Sequence, residues 1–315
     1  MSTALAEPMN HPTEEEQYIE QTRERVRNYL SQSGMSQTEA ARLIGFSTTR
    51  LSQFLSGKYA GDMLETAKAI NYGLDKHIEQ QAAPKEPEFA LTTAARQVFE
   101  VCEYAHRVQT IGLIHGDAGL GKTMALREYT GSHRDVVMIS VNPTLSSAKA
   151  VLEEISDVLG LKYGSARRMA KEITAALRGS GRLVIFDEGQ HLSPKAINTL
   201  RAIHDAARVG MVFCGNDELY YKLRGRTQSE YAQFFSRVGI RRQLNPVVAQ
   251  EDIQTVFSRS GLGKEVLEQL FQVANDGKGI RGCVKTYLLA ASLAQARGEL
   301  INGAHIQQAR RFLQA

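Results

Sequence analysis

The sequence predicts an α/β fold with a parallel sheet, preceded by a small all-helical domain and followed by a group of helices. Three observations predict this fold. Short apolar runs alternate with amphipathic stretches through the middle of the chain, a glycine-rich run follows the first of them, and only helical patterns occur near both ends. Apolar strands separated by helices are typical of a parallel sheet that is covered on both faces.

Changes in composition divide the chain into five segments. We expect a disordered tail over residues 1–16 and a helical domain over 17–78, in which glycines mark the turns. The segment 79–90 contains "EQQAAPKEPE", with Pro84 and Pro87, and is predicted to be a linker. The α/β core is expected over 91–246 and a helical lid domain over 247–315. The strands are predicted from "TIGLIH" (110–115), "VVMISV" (136–141), "RLVIF" (182–186) and "GMVFC" (210–214).

The composition is that of a globular protein outside the membrane. Apolar residues make up 43% of the 315 positions and charged residues 23%, and no apolar run reaches the roughly 18 residues that a membrane span needs. The polar, acidic start is not typical of a signal peptide. Three widely spaced cysteines favour reduced thiols rather than disulfides or a metal site. We therefore expect a cytoplasmic protein that does not contact membranes.

Charge is distributed unevenly along the chain. Residues 1–88 hold 9 Lys and Arg against 13 Asp and Glu, whereas the remainder holds 29 against 21. A mild basic excess of this kind permits binding to nucleic acid without requiring it.

The glycine-rich run "GDAGLGKT" follows a predicted strand and opens a predicted helix, which is the setting that a phosphate-binding loop requires. Its glycines allow backbone N–H groups to point at phosphate oxygens. Lys122 supplies a cation to the β- and γ-phosphates, and the Thr123 hydroxyl can join the Mg²⁺ shell. We expect this loop to bind ATP with Mg²⁺ through Gly116, Asp117, Ala118, Gly119, Leu120, Gly121, Lys122 and Thr123.

An acidic pair ends the third apolar run, "RLVIFDEGQ". Ionised carboxylates are costly to bury without partners, so Asp187 and Glu188 are more readily explained as functional groups than as core residues. Asp187 is predicted to hold the Mg²⁺ shell. Glu188 is predicted to orient and deprotonate the attacking water.

Five further side chains are candidates by their position. Asn216 ends the strand "GMVFCGND" and could contact the γ-phosphate or the attacking water. The stretch "FFSRVGIRR" offers Arg237, with Arg241 and Arg242, to a neighbouring subunit, and Arg281 lies near the start of a later helix. An arginine supplied by a neighbour stabilises charge developing on a phosphoryl group. A solvated surface cation remains the alternative for each arginine, with about equal weight for Arg241 and Arg242.

Together these motifs resemble those of the AAA+ ATPases, over roughly residues 90–300. The resemblance assigns a sensor-1 role to Asn216, an arginine-finger role to Arg237 and a sensor-2 role to Arg281. It implies a P-loop core with strand order 5-1-4-3-2, a helical lid and oligomers whose ATP sites lie between subunits.

The segment "SQTEAARLIGFSTTRLSQFLSGK" (36–58) follows a helix-turn-helix pattern, with a small Ala41 where two helices cross, Gly45 at the turn and Leu51 in the core. The second helix would then present Thr48, Thr49, Arg50 and Gln53 to the DNA major groove. A helical bundle for protein contact remains an alternative, because residues 17–78 carry a balance of only +2 and neutralise few phosphates.

The order of these parts over nearly the whole chain is similar to that of the Mu B family of phage transposition proteins. The resemblance implies an ATPase in the host cytoplasm that binds double-stranded DNA with little sequence preference and assembles on it as a helical filament. It also implies that the protein captures target DNA, delivers it to a transposase, stimulates strand transfer and takes part in target immunity. Basic residues near strand ends would contact DNA: Lys149, Arg167, Arg168, Lys171 and Lys195.

Two alternatives remain open at this point. A helicase loader or insertion-sequence helper ATPase would share the fold and bind DNA with ATP, but its partner would be a replicative helicase rather than a transposase. A transcription regulator with an ATP-controlled switch would need a sequence-specific site for residues 36–58, usually in a dimer.

Overall fold

The computed structural model describes residues 13–224 and 233–314. These residues form two compact units, which meet in sequence between Pro84 and Lys85. Most of the tail predicted over 1–16 lies outside the described residues.

The amino-terminal unit contains four helices, each of which begins after a capping side chain. They are α1 (Glu14–Ser33), α2 (Gln37–Leu43), α3 (Thr48–Leu55) and α4 (Met63–Ala82). Thr13 and Glu16 form a reciprocal capping box, so residues 14–16 are helical rather than part of a tail. Helix α4 likewise continues four residues into the predicted linker.

The core of this unit is built from the positions that the helix-turn-helix pattern singles out. Ala41 and Leu51 are completely buried, and they pack in one cluster with Phe54 and Ile70. Gly45 follows α2 with a φ of +78°, a left-handed conformation that favours glycine.

The second unit contains a five-stranded sheet in which every pairing is parallel. Its strands are β1 (Ile111–His115), β2 (Val136–Ser140), β3 (Leu183–Asp187), β4 (Gly210–Gly215) and β5 (Val238–Gln243). Their order is β2-β3-β4-β1-β5, which confirms the order 5-1-4-3-2 implied by the resemblance. The stretch around Arg241, expected to face a neighbouring subunit, is an edge strand with alternating half-buried and exposed positions.

Helices cover both faces of the sheet. They are α5 (Thr93–Val108), α6 (Lys122–Ser132), α7 (Ala148–Val158), α8 (Ala166–Leu177), α9 (Pro194–Ala207) and α10 (Asp217–Arg224). Successive residues of a strand point to opposite faces. Ile185 therefore packs with α5 and α6, whereas Phe186 packs with α7, α8 and α9.

Four helices complete the chain: α11 (Gln250–Val256), α12 (Lys264–Val273), α13 (Gly279–Ala296) and α14 (Gly303–Gln314). Their apolar faces join the cluster on the α5 side of the sheet. Cys102, Cys214 and Cys283 are free and buried, and burial raises the pKa of each thiol. Within the described ranges, the helices are too short or too polar to cross a membrane.

Candidate nucleotide site

The candidate site lies where three neighbouring strands end. The phosphate loop follows β1, Asp187 ends β3, and Asn216 follows β4. Because β1, β4 and β3 are adjacent and parallel, their carboxyl ends lie at the same edge of the sheet. The structure thus brings together three groups that are up to 100 positions apart in the sequence.

The backbone of the loop adopts conformations that favour glycine. Gly119 and Gly121 have φ values of +88° and +89°, in the left-handed region. A side chain at Gly119 would also place its Cβ 2.9 Å from the carbonyl oxygen of Lys278. Helix α6 begins directly after Gly121 without a side-chain cap, so the first amides of α6 are left for an anion.

The Lys122 ammonium is bound by backbone carbonyl oxygens of its own loop. Its Nζ donates to the carbonyl oxygens of Gly116 at 2.8 Å and Asp117 at 2.7 Å. No ion pair to Lys122 occurs in the described part of the chain. The ammonium is therefore held within the loop by weak dipoles and can exchange them for a phosphate.

Asp187 is only 2% exposed, and its Oδ2 accepts a hydrogen bond of 2.7 Å from the Thr123 hydroxyl. Burial raises the pKa of the Asp187 carboxyl, while the bond from Thr123 opposes that rise. A hydroxyl and a carboxylate in contact are hard oxygen donors of the kind that Mg²⁺ prefers. These residues therefore fit a magnesium ion that shares its remaining positions with phosphate and water.

Glu188 is half-buried and has a left-handed backbone, with φ at +54°. That conformation is uncommon for a residue with a side chain and is often found at functional sites. The turn directs the chain away from β3 into a short helical segment, Gly189–His191.

Gln190 was missed by the sequence analysis, although it stands two positions after the acidic pair. Its side-chain Nε2 donates to Oε2 of Glu188, and its Oε1 accepts from the backbone N–H of Asn216 at 3.4 Å. Asn216 itself is half-buried, and its Oδ1 accepts from the N–H of Leu219 at 3.4 Å. The signal in the sequence that could have identified Gln190 is an uncharged polar residue close behind an apolar strand.

His115 was also missed. It ends β1 immediately before the loop and is 3% exposed. Its Nδ1 lies 2.7 Å from Oδ1 of Asp217, and its ring stacks on Tyr220 with 4.5 Å between centroids. This contact ties the strand before the loop to the helix after Asn216.

The arginines of the second unit are not all brought to the loop. Arg237 donates to Asp205 at 2.9 Å, and Arg242 donates to Glu100 at 3.0 Å. Arg241 lies over the ring of Tyr220 and donates to its hydroxyl at 3.0 Å. Within one subunit, each of these three therefore has a local partner.

Arg281 does lie beside the loop. Its backbone N–H donates to the carbonyl oxygen of Gly119 at 3.1 Å, and its side chain is exposed. The start of α13 therefore sits against the phosphate loop.

The cations predicted to contact DNA lie on three helices that connect β2, β3 and β4. Lys149, Arg167, Arg168 and Lys195 occupy the first turns of α7, α8 and α9, and all are exposed. Lys149 and Arg168 pair with glutamates one turn later. Lys171 and Lys195 line a cleft of about 840 Å³ between α8 and α9.

The amino-terminal candidates differ in exposure. Thr48, Thr49 and Gln53 are exposed on α3. Arg50 is half-buried rather than fully exposed, because its guanidinium stacks on Phe46 at 4.0 Å and donates to the Thr66 hydroxyl at 3.0 Å, and its contact with DNA stays a prediction. Cation–π stacking and a hydrogen bond hold this side chain inside its own unit.

The strand order, the phosphate loop and the acidic pair define the class of AAA+ ATPases, which bind and hydrolyse ATP. In agreement, residues 105–223 match the AAA domain family, and residues 236–313 match the family of Mu B transposition proteins, C-terminal part.

Full-length relatives define the family more closely. The chain is 30% identical over 273 residues to the ATP-dependent target DNA activator B of Escherichia phage Mu, covering 85% of this chain and 87% of the relative. It is 30% identical over 270 residues to the Mu-like prophage FluMu DNA transposition protein B of Haemophilus influenzae, covering 84% and 94%. The chain belongs to the family of Mu B transposition proteins.

Among solved structures, a RuvB variant of Thermotoga maritima aligns with a TM-score of 0.47 and 16% identity. The alignment covers 70% of this chain and 68% of that chain.

Proposed function

We propose that this protein is an ATP-dependent, largely sequence-nonspecific DNA-binding ATPase that assembles as a helical filament on target DNA. It captures that DNA, delivers it to a transposase, stimulates strand transfer and takes part in target immunity, in the cytoplasm of the host cell. The relatives named as a target DNA activator and a DNA transposition protein support this role. The observation that carries it is a row of cations beside the nucleotide site.

That row is electrostatically unusual. The first turn of a helix carries partial positive charge from its free N–H groups, which disfavours cations there. Helices α7, α8 and α9 nevertheless have no acidic residue in their first turns and carry Lys149, Arg167, Arg168 and Lys195 there. Three helix ends with added cations would attract an anion such as a DNA backbone, and two of the cations, Lys149 and Arg168, would exchange a glutamate for it.

A helix that follows a strand of a parallel sheet begins at the carboxyl edge, the edge that also holds the phosphate loop, and α7 and α9 follow β2 and β3 in this way. Helix α8 lies beside α9, since Lys171 and Lys195 line the same cleft. ATP and DNA would therefore bind along the same edge. Lys171, further along α8, extends this surface. Thr48, Thr49 and Gln53 of α3 supply at most a weak additional DNA contact, since the amino-terminal unit has little net positive charge.

Nucleotide binding uses the groups of the loop. The N–H groups of residues 116–123 and the Lys122 ammonium hold the phosphates, and Arg281 approaches from α13. Thr123 and Asp187 would hold Mg²⁺, which would supply positive charge to offset that of the phosphates.

Hydrolysis requires a proton acceptor and a means to stabilise developing charge. Glu188 orients the attacking water and accepts its proton at a carboxylate oxygen. Asn216 donates a hydrogen bond to the γ-phosphate or the water. Arg237 of a neighbouring subunit completes the site, so that assembly on DNA controls the rate of hydrolysis.

Electron microscopy of the purified protein tests this proposal. We expect continuous helical filaments when random duplex DNA and a slowly hydrolysed ATP analogue are both present, and none with ADP. Glu188→Gln should bind ATP and form DNA complexes that persist with ATP itself. Dimers or closed rings that ignore random DNA would contradict the proposal, and so would Glu188→Gln complexes that dissociate as quickly as the wild type.

A further inference from the structure

We propose that Gln190 is a positioning residue for ATP hydrolysis, whose side-chain amide joins the Glu188 carboxylate to the backbone at Asn216. The inference rests on the proposed hydrolytic role of the site. It adds a residue outside the phosphate loop and the acidic pair, and it explains how two groups on different strands can act on one water molecule.

The orientation of the Gln190 amide is determined by its two partners. The Asn216 N–H is a donor and requires the amide oxygen, whereas the ionised Glu188 carboxylate only accepts and requires the amide nitrogen. The reverse orientation would place two donors together and two acceptors together. The observed arrangement, with Oε1 at Asn216 and Nε2 at Glu188, is therefore the one that satisfies both contacts.

The surroundings of Gln190 leave its side chain little freedom. It is 8% exposed, and its own carbonyl oxygen accepts a hydrogen bond of 2.8 Å from Lys222 Nζ on α10. Gly215, at the end of β4, provides the space for the amide. A Cβ at that position would lie 2.4 Å from Gln190 Oε1 and 3.0 Å from a methyl carbon of Leu219.

This arrangement links the ends of two adjacent strands. Glu188 follows β3 and Asn216 follows β4, and no pairing between those strands extends beyond Phe186 and Phe213. The Gln190 amide spans the gap where the backbone ladder has ended. It holds Oε2 of Glu188 and leaves Oε1 to accept a proton, with Asn216 at a fixed distance.

Three substitutions test the inference. Gln190→Ala removes both contacts. Gln190→Glu keeps an oxygen for the Asn216 N–H but places a second carboxylate against Glu188. Gly215→Ala leaves Gln190 in the chain and displaces its amide. Gln272→Ala, at an exposed position on α12, is the matched control.

We expect each of the three test substitutions to lower DNA-stimulated kcat by about 10- to 100-fold, since a displacement of about 1 Å at a reacting group can cost 10²-fold. KM and the Kd for a fluorescent ATP analogue should remain within about threefold of wild type, because the phosphate loop is untouched. Added to Glu188→Gln, the Gln190→Ala change should cause no further loss, since the two residues act as a unit.

The outcomes separate this inference from the proposed function. If wild-type protein hydrolyses ATP with DNA while Gln190→Ala and Gln190→Glu retain full kcat, the positioning role is wrong and the proposed function stands. A further loss in the double variant also overturns the positioning role. If wild-type protein shows no hydrolysis with or without DNA, the proposed function itself is wrong.

Discussion

The phosphate loop and the arginine-bearing edge strand both carry cations, but the cations differ in what surrounds them. Lys122 is held by two carbonyl oxygens within its own loop. Arg237, just before the edge strand, and Arg242, within it, are each paired with a carboxylate of the same subunit. One region has a charge ready for an incoming anion, and the other has charges already neutralised.

This difference indicates how each region is used. Binding phosphate at the loop replaces weak dipole contacts with charge-assisted hydrogen bonds, so the site is prepared for its ligand. An arginine that acts on a neighbour must first leave Asp205 or Glu100. Under the proposed function, this exchange takes place when a neighbouring subunit binds.

Removal of the loop cation should have the largest effect. We expect Lys122→Ala to weaken ATP binding at least about 30-fold, because truncating one partner of a desolvated charge pair costs about 2–5 kcal/mol. ATP-dependent DNA binding should be lost with it. Titration with a fluorescent ATP analogue, and filter binding of random duplex DNA with and without ATP, measure the two effects. DNA binding that still depends on ATP would show that Lys122 is dispensable.

Loss of Arg237 should affect only the assembled state. We expect Arg237→Ala to bind ATP normally and to lose about 10³-fold of its DNA-stimulated kcat, the lower end of the range for arginines supplied by a neighbour. Steady-state ATPase assays at several protein concentrations measure it, with Arg242→Ala, on the strand that follows Arg237, as the matched control. A larger loss in Arg242→Ala than in Arg237→Ala would transfer the role to Arg242.

Release of Arg237 from its own subunit should have a smaller effect in the opposite direction. Asp205→Asn weakens an exposed ion pair of a kind worth about 0.2–1 kcal/mol. We expect it to lower the protein concentration at which DNA-stimulated hydrolysis reaches half its maximum, by up to about fivefold. An increase in that concentration would show that Asp205 supports assembly instead of competing with it.

A last effect concerns the stability of the nucleotide-free fold rather than activity. Burial raises the pKa of the Asp187 carboxyl above its ordinary value, so the folded protein binds this proton more tightly than the unfolded chain does. The ionised carboxylate thus destabilises the fold above its folded pKa, and the penalty vanishes below its unfolded pKa.

Asp187→Asn removes that penalty, and we expect the nucleotide-free variant to be more stable at pH 7.5 by about 0.5–2 kcal/mol. The difference should shrink as the pH falls towards 4. Denaturant unfolding at both pH values measures it, and Glu100→Gln at the exposed edge pair should change stability by less than about 1 kcal/mol. A variant that is less stable than wild type at pH 7.5 would contradict this prediction.

Local and contiguous features were predictable from the sequence. Four strands were predicted because each is a run of apolar residues, and the loop and the acidic pair were predicted because each is a continuous stretch of sequence. Strand β5 was not predicted as a strand, because an edge strand with half-exposed arginines lacks an apolar run. The contacts of Gln190 with Asn216 and of His115 with Asp217 join residues 26 and 102 positions apart. Such contacts depend on which strands become neighbours.

The position of the Arg50 side chain could not be predicted from the sequence, for a different reason. Its place on α3 was predictable from the helix-turn-helix spacing, but a helix position does not determine where a long side chain settles. Two aromatic rings and a threonine hydroxyl within its own unit provide a local alternative to solvent.

Gly119 and Gly279 are far apart in the sequence, but each must lack a side chain for the phosphate loop and the start of α13 to pack together. A Cβ at Gly119 would meet the Lys278 carbonyl, and a Cβ at Gly279 would lie 2.8 Å from the Gly119 carbonyl oxygen. We expect that Gly279→Ala would push the carboxyl-terminal helices away from the loop, because the added Cβ would be too close to the Gly119 carbonyl oxygen. The loop's own sequence would be unchanged. The angle of those helices could thus be tuned separately from the chemistry of the phosphates.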